Sequence, residues 1–398
     1  MEALHTVPRM EQHEKTDAVI VGAGPAGLGC ALALRKAGIA DFRILERSGV
    51  GASFDAWPKE MRMITPSFHG NPFFQTDLNA IDPSTSPADV FGREHPTGAQ
   101  YAAYLRAVVQ HFGLEVSEGV AVRDIEPADG RFWVKTSDGA IDAGAVIWAA
   151  GEFALPRTVV FEGADLCRHN SVIRSYAELS GDEALIIGGY ESGIDAAYHL
   201  ARSGKRVRVV SKGEPWLLDS PDPSDALSPN TKERLVGLMQ ALPGRIELVG
   251  NVEVIQVARS DNGFRVRLAD GRAFDTGNAP VLATGFRSAL TPVRDRFEWS
   301  NGHPVFTEED GSTLHPGLFY SGPSLVQRGS KFCFIYKFRA RFGVVARAVA
   351  DHLGRAVDAG LDNYAARGFM IDDLDCCVDC QCVLEDEDET VQDLEVVE

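Results

Sequence analysis

Two glycine clusters in this chain have the residue types and the spacing to hold a pyrophosphate. The first runs Asp17-Ala-Val-Ile-Val-Gly22-Ala-Gly24-Pro25-Ala26-Gly27 and leads, past Gly38, to Phe42-Arg-Ile-Leu-Glu46. The second runs Ala184-Leu-Ile-Ile-Gly188-Gly189-Tyr190-Glu191-Ser192-Gly193 and leads, past Gly204, to Val207-Arg-Val-Val-Ser211-Lys212. In both, a glycine falls 16 positions after the first one and the last named residue falls 24 after it. A first glycine allows a tight turn, a second lets backbone N–H groups approach a diphosphate, and a third lets helix and strand pack closely. The chemistry is dinucleotide binding, and two copies in one chain point to electron transfer between two dinucleotides.

The elements that must position these residues are readable too. Apolar β-formers lead into Gly22, and Leu28, Ala31, Leu32 and Leu34 follow Gly27 at helical spacing. Each copy therefore reads as strand, glycine turn, helix, strand, with the helix N-terminus supplying unpaired N–H groups and partial positive charge. Glu46 ends the second strand of the first copy, where a carboxylate accepts from ribose hydroxyls. The second copy departs in two ways. Tyr190 stands where the middle glycine belongs and crowds the diphosphate, and Ser211-Lys212 replaces the acid. A hydroxyl and an ammonium attract a 2′-phosphate, so the expectation is NADPH rather than NADH. The alternative is that Tyr190 closes the site and the second unit is a relic.

Composition narrows the class. A chain of 398 residues, 44% hydrophobic, suggests two or three domains with sizeable cores. No apolar run approaches the ~18–20 residues that span a bilayer, and residues 1–15 lack the apolar core of a secretory signal. The expectation is a cytoplasmic protein without a membrane partner. The net charge of −18 argues against nucleic acid as a partner. Residues 371–398 hold 12 of the acids and no Lys or Arg, so the rest of the chain carries only −6. Such a tail reads as solvated chain. Of seven cysteines, Cys30 and Cys333 look like small buried hydrophobes and Cys167 precedes His169, while Cys376, Cys377, Cys380 and Cys382 crowd into the tail.

Further elements organise the body. Residues 99–112 and 340–353 read as helices, and Arg131-Phe-Trp-Val-Lys-Thr and Gly263-Phe-Arg-Val-Arg-Leu read as antiparallel strands. Ala145-Val-Ile-Trp-Ala-Ala-Gly151 and Ala279-Pro-Val-Leu-Ala-Thr-Gly285 form a second matched pair, each a buried strand ending in a small-small-glycine turn. They mark crossings between domains. The expected class is α/β. A first dinucleotide domain (15–156) holds an inserted second one (157–285), returns at 286–358, and is followed by an acidic, Cys-containing tail (359–398).

Gly22-Ala-Gly24-Pro25-Ala26-Gly27, Glu46-Arg47, Gly51-Ala-Ser-Phe54, Gly188…Ser192-Gly193 and the Ala-Thr-Gly285-Phe turn together resemble the two-dinucleotide-binding-domain flavoproteins. That superfamily includes thioredoxin-reductase-like enzymes and flavin-containing monooxygenases with two Rossmann-like domains. The resemblance covers residues 15 to about 355 and implies FAD in the first site and NADPH in the second. It implies that Gly22, Gly24, Pro25, Ala26, Gly27, Glu46 and Arg47 bind FAD, that Ser53, Thr65 and Pro66 lie near the flavin ring, and that Gly322 lies near the ribityl chain or pyrophosphate. Gly188, Tyr190, Glu191, Ser192, Gly193, Ser211 and Lys212 take the NADPH positions. Phe161-Glu-Gly163 followed by His169 is similar to the bacterial monooxygenase fingerprint, with five residues between Gly163 and His169 instead of three and Ile173 in place of an aromatic.

What such a protein does depends on where the electrons go. A disulfide reductase needs a cysteine pair beside the flavin, and the body has none at the usual places. That favours a monooxygenase-like enzyme, which passes hydride from NADPH to FAD and then uses oxygen on an organic substrate. One alternative is a thiol, disulfide or metal reductase working through Cys376 and Cys377. Cys380 and Cys382 complete a four-thiol set that a soft metal would also suit. A flavin- or nicotinamide-binding redox sensor is the other. His169, Cys376 and Cys377 are the catalytic candidates. The expected partners are a small-molecule substrate or a redox protein, and a homodimer is an expected assembly.

Overall fold

A computed structural model describes residues 14–70, 75–220, 222 and 224–374, and the statements below concern these residues. The first body opens with β1 (Glu14–Val21), α1 (Pro25–Lys36) and β2 (Phe42–Glu46). The short helices α2 (Ala52–Asp55) and α3 (Pro87–Phe91) precede α4 (Gly98–Phe112). β3 (Val116–Glu118), β4 (Val122–Ala128), β5 (Arg131–Thr136) and β6 (Ala140–Trp148) follow. The second body contains β7 (Arg168–His169), β8 (Glu183–Ile187), α5 (Glu191–Arg202), β9 (Arg206–Val210), α6 (Pro229–Ala241) and β10 (Ile246–Val249). It continues through β11 (Val254–Ser260), β12 (Gly263–Leu268), β13 (Ala273–Thr276) and β14 (Val281–Leu282). The chain then returns to the first body with β15 (Glu298–Ser300), β16 (His303–Val305), β17 (Leu318–Tyr320), α7 (Ile335–Phe338), α8 (Phe342–His352) and α9 (Asp362–Ala366).

The first sheet has the order β3-β2-β1-β6-β5-β4. β1 lies between two parallel neighbours and is covered on both faces, which is why Ala18 to Val21 are continuously apolar. β6 changes partners along its length: Ala140 to Ala143 pair antiparallel with β5, and Val146 to Trp148 pair parallel with β17. The returning chain thus completes the sheet that the N-terminal segment began. α1 starts at Pro25, where no N–H is needed, and is buried from Ala26 to Leu34 between the sheet and α8. At Gly29 any Cβ would lie 1.9 Å from the Phe342 ring. α4 begins with a capping box between Thr97 and Gln100. The second sheet is parallel, β10-β9-β8-β14-β7, with the antiparallel β11-β12-β13 sheet beside it. One apolar cluster fills the first body, and two others fill the second, around Ile186 and around Leu185.

Two connections join the bodies and are bonded to each other. Pro156 bridges Phe286, Arg157 N donates to Gly285 O (3.0 Å), Arg287 N to Leu155 O (2.8 Å), and Thr284 Oγ1 to Arg157 O (2.6 Å).

The C-terminal boundary differs from the sequence reading, which begins the tail at residue 359. Leu361, Tyr364, Phe369 and Leu374 are buried in the first core, and Tyr364 donates to Asp82 Oδ2 at 2.9 Å. The acids of this stretch obscure its apolar spacing. Arg341 ties it down. Its guanidinium, 1% exposed, holds Asp310 through Nε (2.9 Å) and Nη2 (3.1 Å) and donates to the carbonyls of Ile371 and Glu308. Gln327 donates to the same carboxylate at 2.7 Å. A buried ion pair persists when its remaining donors and acceptors are used, and removing one partner leaves an uncompensated charge. We therefore expect Arg341→Met to lower the unfolding free energy by about 3–5 kcal/mol. Denaturant unfolding checks this, and a loss below ~1 kcal/mol would show that the pair does not hold the C-terminal segment.

Candidate functional site

The two glycine turns have matching geometry. Gly22 (φ 108°) and Gly188 (φ 112°) take left-handed φ values closed to most side chains, and a Cβ there would lie 2.5 Å from Ala149 O and 2.2 Å from Ala283 O. A Cβ at Gly27 would sit 1.9 Å from Gly22 O, and one at Gly193 would sit 1.9 Å from Gly188 O. The third glycine in each copy therefore lets the helix close onto its own strand. α1 and α5 start without a side-chain cap, so their first-turn N–H groups are left for a ligand. A Cβ at Gly24 would meet nothing within 4 Å, which leaves the room a pyrophosphate needs. In the second copy Tyr190 occupies that position. Its phenol donates to Ala226 O at 2.7 Å, which draws the ring toward the 224–228 loop.

Both turns open on one cleft of about 460 Å³ between the bodies. Gly22, Gly24, Pro25, Ala26, Glu46, Ser53 and Thr65 line it from the first body, and Tyr190, Glu191 and Ser192 line it from the second. Its walls are largely apolar, with Phe54, Trp57, Met61, Met63, Phe153, Phe286, Phe334 and Phe338. Gly27 and Gly193 shape the turns from behind. Ser211 is buried beside Gly189, whose Cβ would meet its Oγ at 2.8 Å. Gly322 lies outside the lining, its Cβ position 4.0 Å from the Ala26 Cβ at the start of α1. Arg47 and Pro66 are also outside the lining. Lys212 lies two residues past the end of β9, on the surface, and pairs with Glu253 at 2.9 Å.

Glu46 Oε2 accepts from Ala23 N (2.9 Å) and Oε1 from Ser48 N (2.8 Å), so the acid braces the turn it was expected to serve. Glu191 is turned to the start of α6. It accepts from Ser228 N (2.5 Å) and Thr231 Oγ1 (2.6 Å), and burial raises its pKa.

His169 does not line the cleft. Its Nδ1 accepts from Ser171 N (3.2 Å), and its Nε2 lies 3.1 Å from Gly285 O. A carbonyl only accepts, so the proton sits on Nε2, and burial lowers the ring's pKa and keeps it neutral. Through its bond to Gly285 O this histidine fastens β7 to the crossing at 285. Cys30 is buried, its pKa pushed up to about 12 by burial. Cys333, read from the sequence as a buried hydrophobe, is exposed and lines the cleft. Its sulfur donates to Ser224 Oγ at 3.2 Å, and desolvation raises its pKa, which opposes thiolate formation. Cys376, Cys377, Cys380 and Cys382 lie outside the described residues. Among the described residues no group of three metal-ligating side chains occurs, and no helix is long and apolar enough to cross a membrane.

Three lining residues escaped the sequence reading. Arg62 follows Met61 in a segment held by its bridge to Thr97. Asp195 lies one turn into α5, at 4% exposure, with Oδ1 2.9 Å from Arg234 and Oδ2 unpartnered among the described residues. Glu152 follows the Ala-Ala-Gly151 turn, and its carboxylate has no hydrogen bond or ion pair among the described residues. Desolvation raises its pKa to about 7 against the pull of Arg157. The matched Gly151 and Gly285 turns were the available signal for Glu152.

Two glycine turns, each followed by an uncapped helix start and both opening on one apolar cleft, are the arrangement of a dinucleotide-binding oxidoreductase. Residues 19–322 match the pyridine nucleotide-disulphide oxidoreductase family, to which this chain belongs. It is 25% identical over 338 residues to bacilliredoxin reductase Bdr of Bacillus subtilis, covering 84% of this chain and 97% of that protein. It is 28% identical over 297 residues to indole-3-pyruvate monooxygenase YUCCA1 of Oryza sativa, covering 70% and 68%. In fold it is similar to the bacillithiol disulfide reductase Bdr (YpdA) of Staphylococcus aureus, with a TM-score of 0.69 at 21% identity over 85% of this chain and 99% of that one. Membership of this family makes the protein an oxidoreductase enzyme that works with a pyridine nucleotide.

Glu152 gives the cleft a pH signature. Its folded pKa of about 7 lies above the ordinary 4.5, so the fold favours the neutral form. The cost of ionising it is absent below pH ~4.5, grows through the interval to ~7, and is complete above that. Glu152→Gln should therefore raise the unfolding free energy at pH 8, by up to about 3 kcal/mol, and leave it nearly unchanged at pH ~4. Urea unfolding at the two pH values checks this, and an equal effect at both would contradict it.

Proposed function

We propose that the protein is a monooxygenase-like flavoenzyme that draws hydride from NADPH onto FAD and spends it on oxygen and an organic substrate. The observation that carries the reading is the single apolar cleft shared by the two glycine turns, with no pair of cysteines along it among the described residues. FAD, when bound, supplies the hydride acceptor and the reaction with oxygen. The chain's own residues bind, orient and exclude water. The α1 N-terminus and Gly24 take the FAD pyrophosphate, and Glu46 takes its ribose. Ser53 and Thr65 border the flavin ring. The α5 N-terminus, with Ser192, takes the NADPH pyrophosphate once Tyr190 stands aside. Lys212 takes the 2′-phosphate, because its surface ion pair with Glu253 costs little to exchange. The aromatic walls keep the reacting centre dry.

The second reading is a reductase in which Cys376 and Cys377 receive the electrons. The likeness to bacilliredoxin reductase over 97% of that protein favours it. On either reading the protein works in the cytoplasm on a small molecule or a redox partner. One experiment separates the two. The FAD-loaded protein is reduced with one equivalent of NADPH and mixed with oxygen in a stopped-flow spectrometer. The monooxygenase reading expects the flavin absorption to recover in two phases, only the first dependent on oxygen concentration. A single oxygen-dependent phase, with faster reoxidation by a disulfide that is lost on truncation after Asp375, would establish the reductase.

A further inference from the structure

Among the described residues, Glu46, Glu152, Glu191, Asp195 and Arg62 are the acidic and basic side chains that line the cleft. Three of the carboxylates are engaged within their own body: Glu46 by backbone N–H groups, Glu191 by Ser228 and Thr231, and Asp195 by Arg234. Arg62 is different. Its one hydrogen bond runs from Nη1 to Lys59 O at 3.3 Å, and it has no ion pair among the described residues. Burial lowers its pKa, as do Arg93 and Arg234 nearby, and Asp195 and Glu60 offset this only in part. Both acids are committed elsewhere: Asp195 to Arg234, and Glu60 to Ser175 Oγ (2.5 Å) and Tyr176 N (3.0 Å).

The segment that carries Arg62 is held in place: the Arg62 backbone bridges Thr97, Met63 N donates to Pro96 O (2.9 Å), and Lys59 N donates to Arg174 O (2.9 Å). These contacts set Arg62 at the seam between the bodies, with Trp57, Met61 and Met63 on the same wall. Most of its five N–H donors are unused, and a planar fork of this kind matches a carboxylate in two parallel hydrogen bonds. The dinucleotide phosphates have donors of their own at the starts of α1 and α5, so the arginine is left for a third anion. Resting on the flavoenzyme reading above, we propose that Arg62 anchors the carboxylate of an organic acid whose apolar or aromatic body lies along the cleft wall formed by Trp57, Met61 and Met63. The substrate class is then aryl- and alkyl-carboxylic acids.

The test uses the FAD-loaded full chain, titrated with 3-phenylpropionate and, separately, with its uncharged amide. Binding is read by calorimetry and by the perturbation of the flavin spectrum. The wild-type protein should bind the acid at least about tenfold more tightly than the amide, as expected for hydrogen bonds between charged groups. Arg62→Gln should bring the two within about twofold, and Arg62→Lys should keep part of the preference. The NADPH dissociation constant should move by less than about threefold in both variants, because its phosphates are held elsewhere. An acid that binds the wild-type protein no better than its amide overturns the proposal, as does a preference that survives Arg62→Gln. A loss of NADPH affinity as large as the loss of acid affinity also overturns it, assigning the arginine to a dinucleotide phosphate. Failure of NADPH to bleach the flavin would count against the flavoenzyme reading alone, because acid binding is measured without turnover.

Discussion

The architecture depends on how closely backbones approach one another at the two turns. With Gly27 and Gly193 each 1.9 Å, by their Cβ positions, from the carbonyl of the turn's first glycine, no side chain fits between helix and strand. The same first glycines lie against Ala149 and Ala283 on the neighbouring strands. Each turn is thus a meeting of strand, helix and crossing segment with no slack. That contact sets the uncapped starts of α1 and α5 at the cleft, so their free first-turn N–H groups follow from backbone geometry before any charged side chain is considered.

The crossings carry this precision from one body to the other. Residues 155–157 and 284–287 are bonded across both connections, and His169 adds an Nε2–H bond to Gly285 O. A second latch joins residues 56–60 to residues 174–176, where Arg174 donates to Ala56 O and Glu60 receives Ser175 and Tyr176. The cleft therefore has two hinge segments and one seam. Its free ionisable groups, Arg62 and Glu152, both lie next to these junctions.

Much of this was legible in the residues. The repeated intervals of 16 and 24 define the two turns, and the small-small-glycine pairs at 151 and 285 mark the crossings, because each pattern is imposed by local backbone geometry. What escaped reading is set by tertiary contacts. Arg62 and Asp195 carry no local motif, and their places on the cleft wall come from tertiary packing. His169 resembles a fingerprint residue in sequence, and its bond to Gly285 O, which no local pattern shows, ties it to the crossing between the bodies. The stretch 359–374 looks like part of an acidic tail until Arg341 and the α1–α8 surface cover its apolar side. Cys333 was misplaced for the opposite reason, since the flanking Phe332 and Phe334 suggest burial that its own position on the cleft wall does not share.

The central claim is that the two turns seat FAD and NADPH so that hydride passes directly between them across one cleft. The most direct measurement is anaerobic reduction of the FAD-loaded protein with NADPH carrying deuterium at the transferred position. The account predicts full bleaching of the flavin by one equivalent of NADPH, with a primary isotope effect on the rate. Failure to bleach, or bleaching without an isotope effect at saturating NADPH, would contradict direct transfer within this cleft.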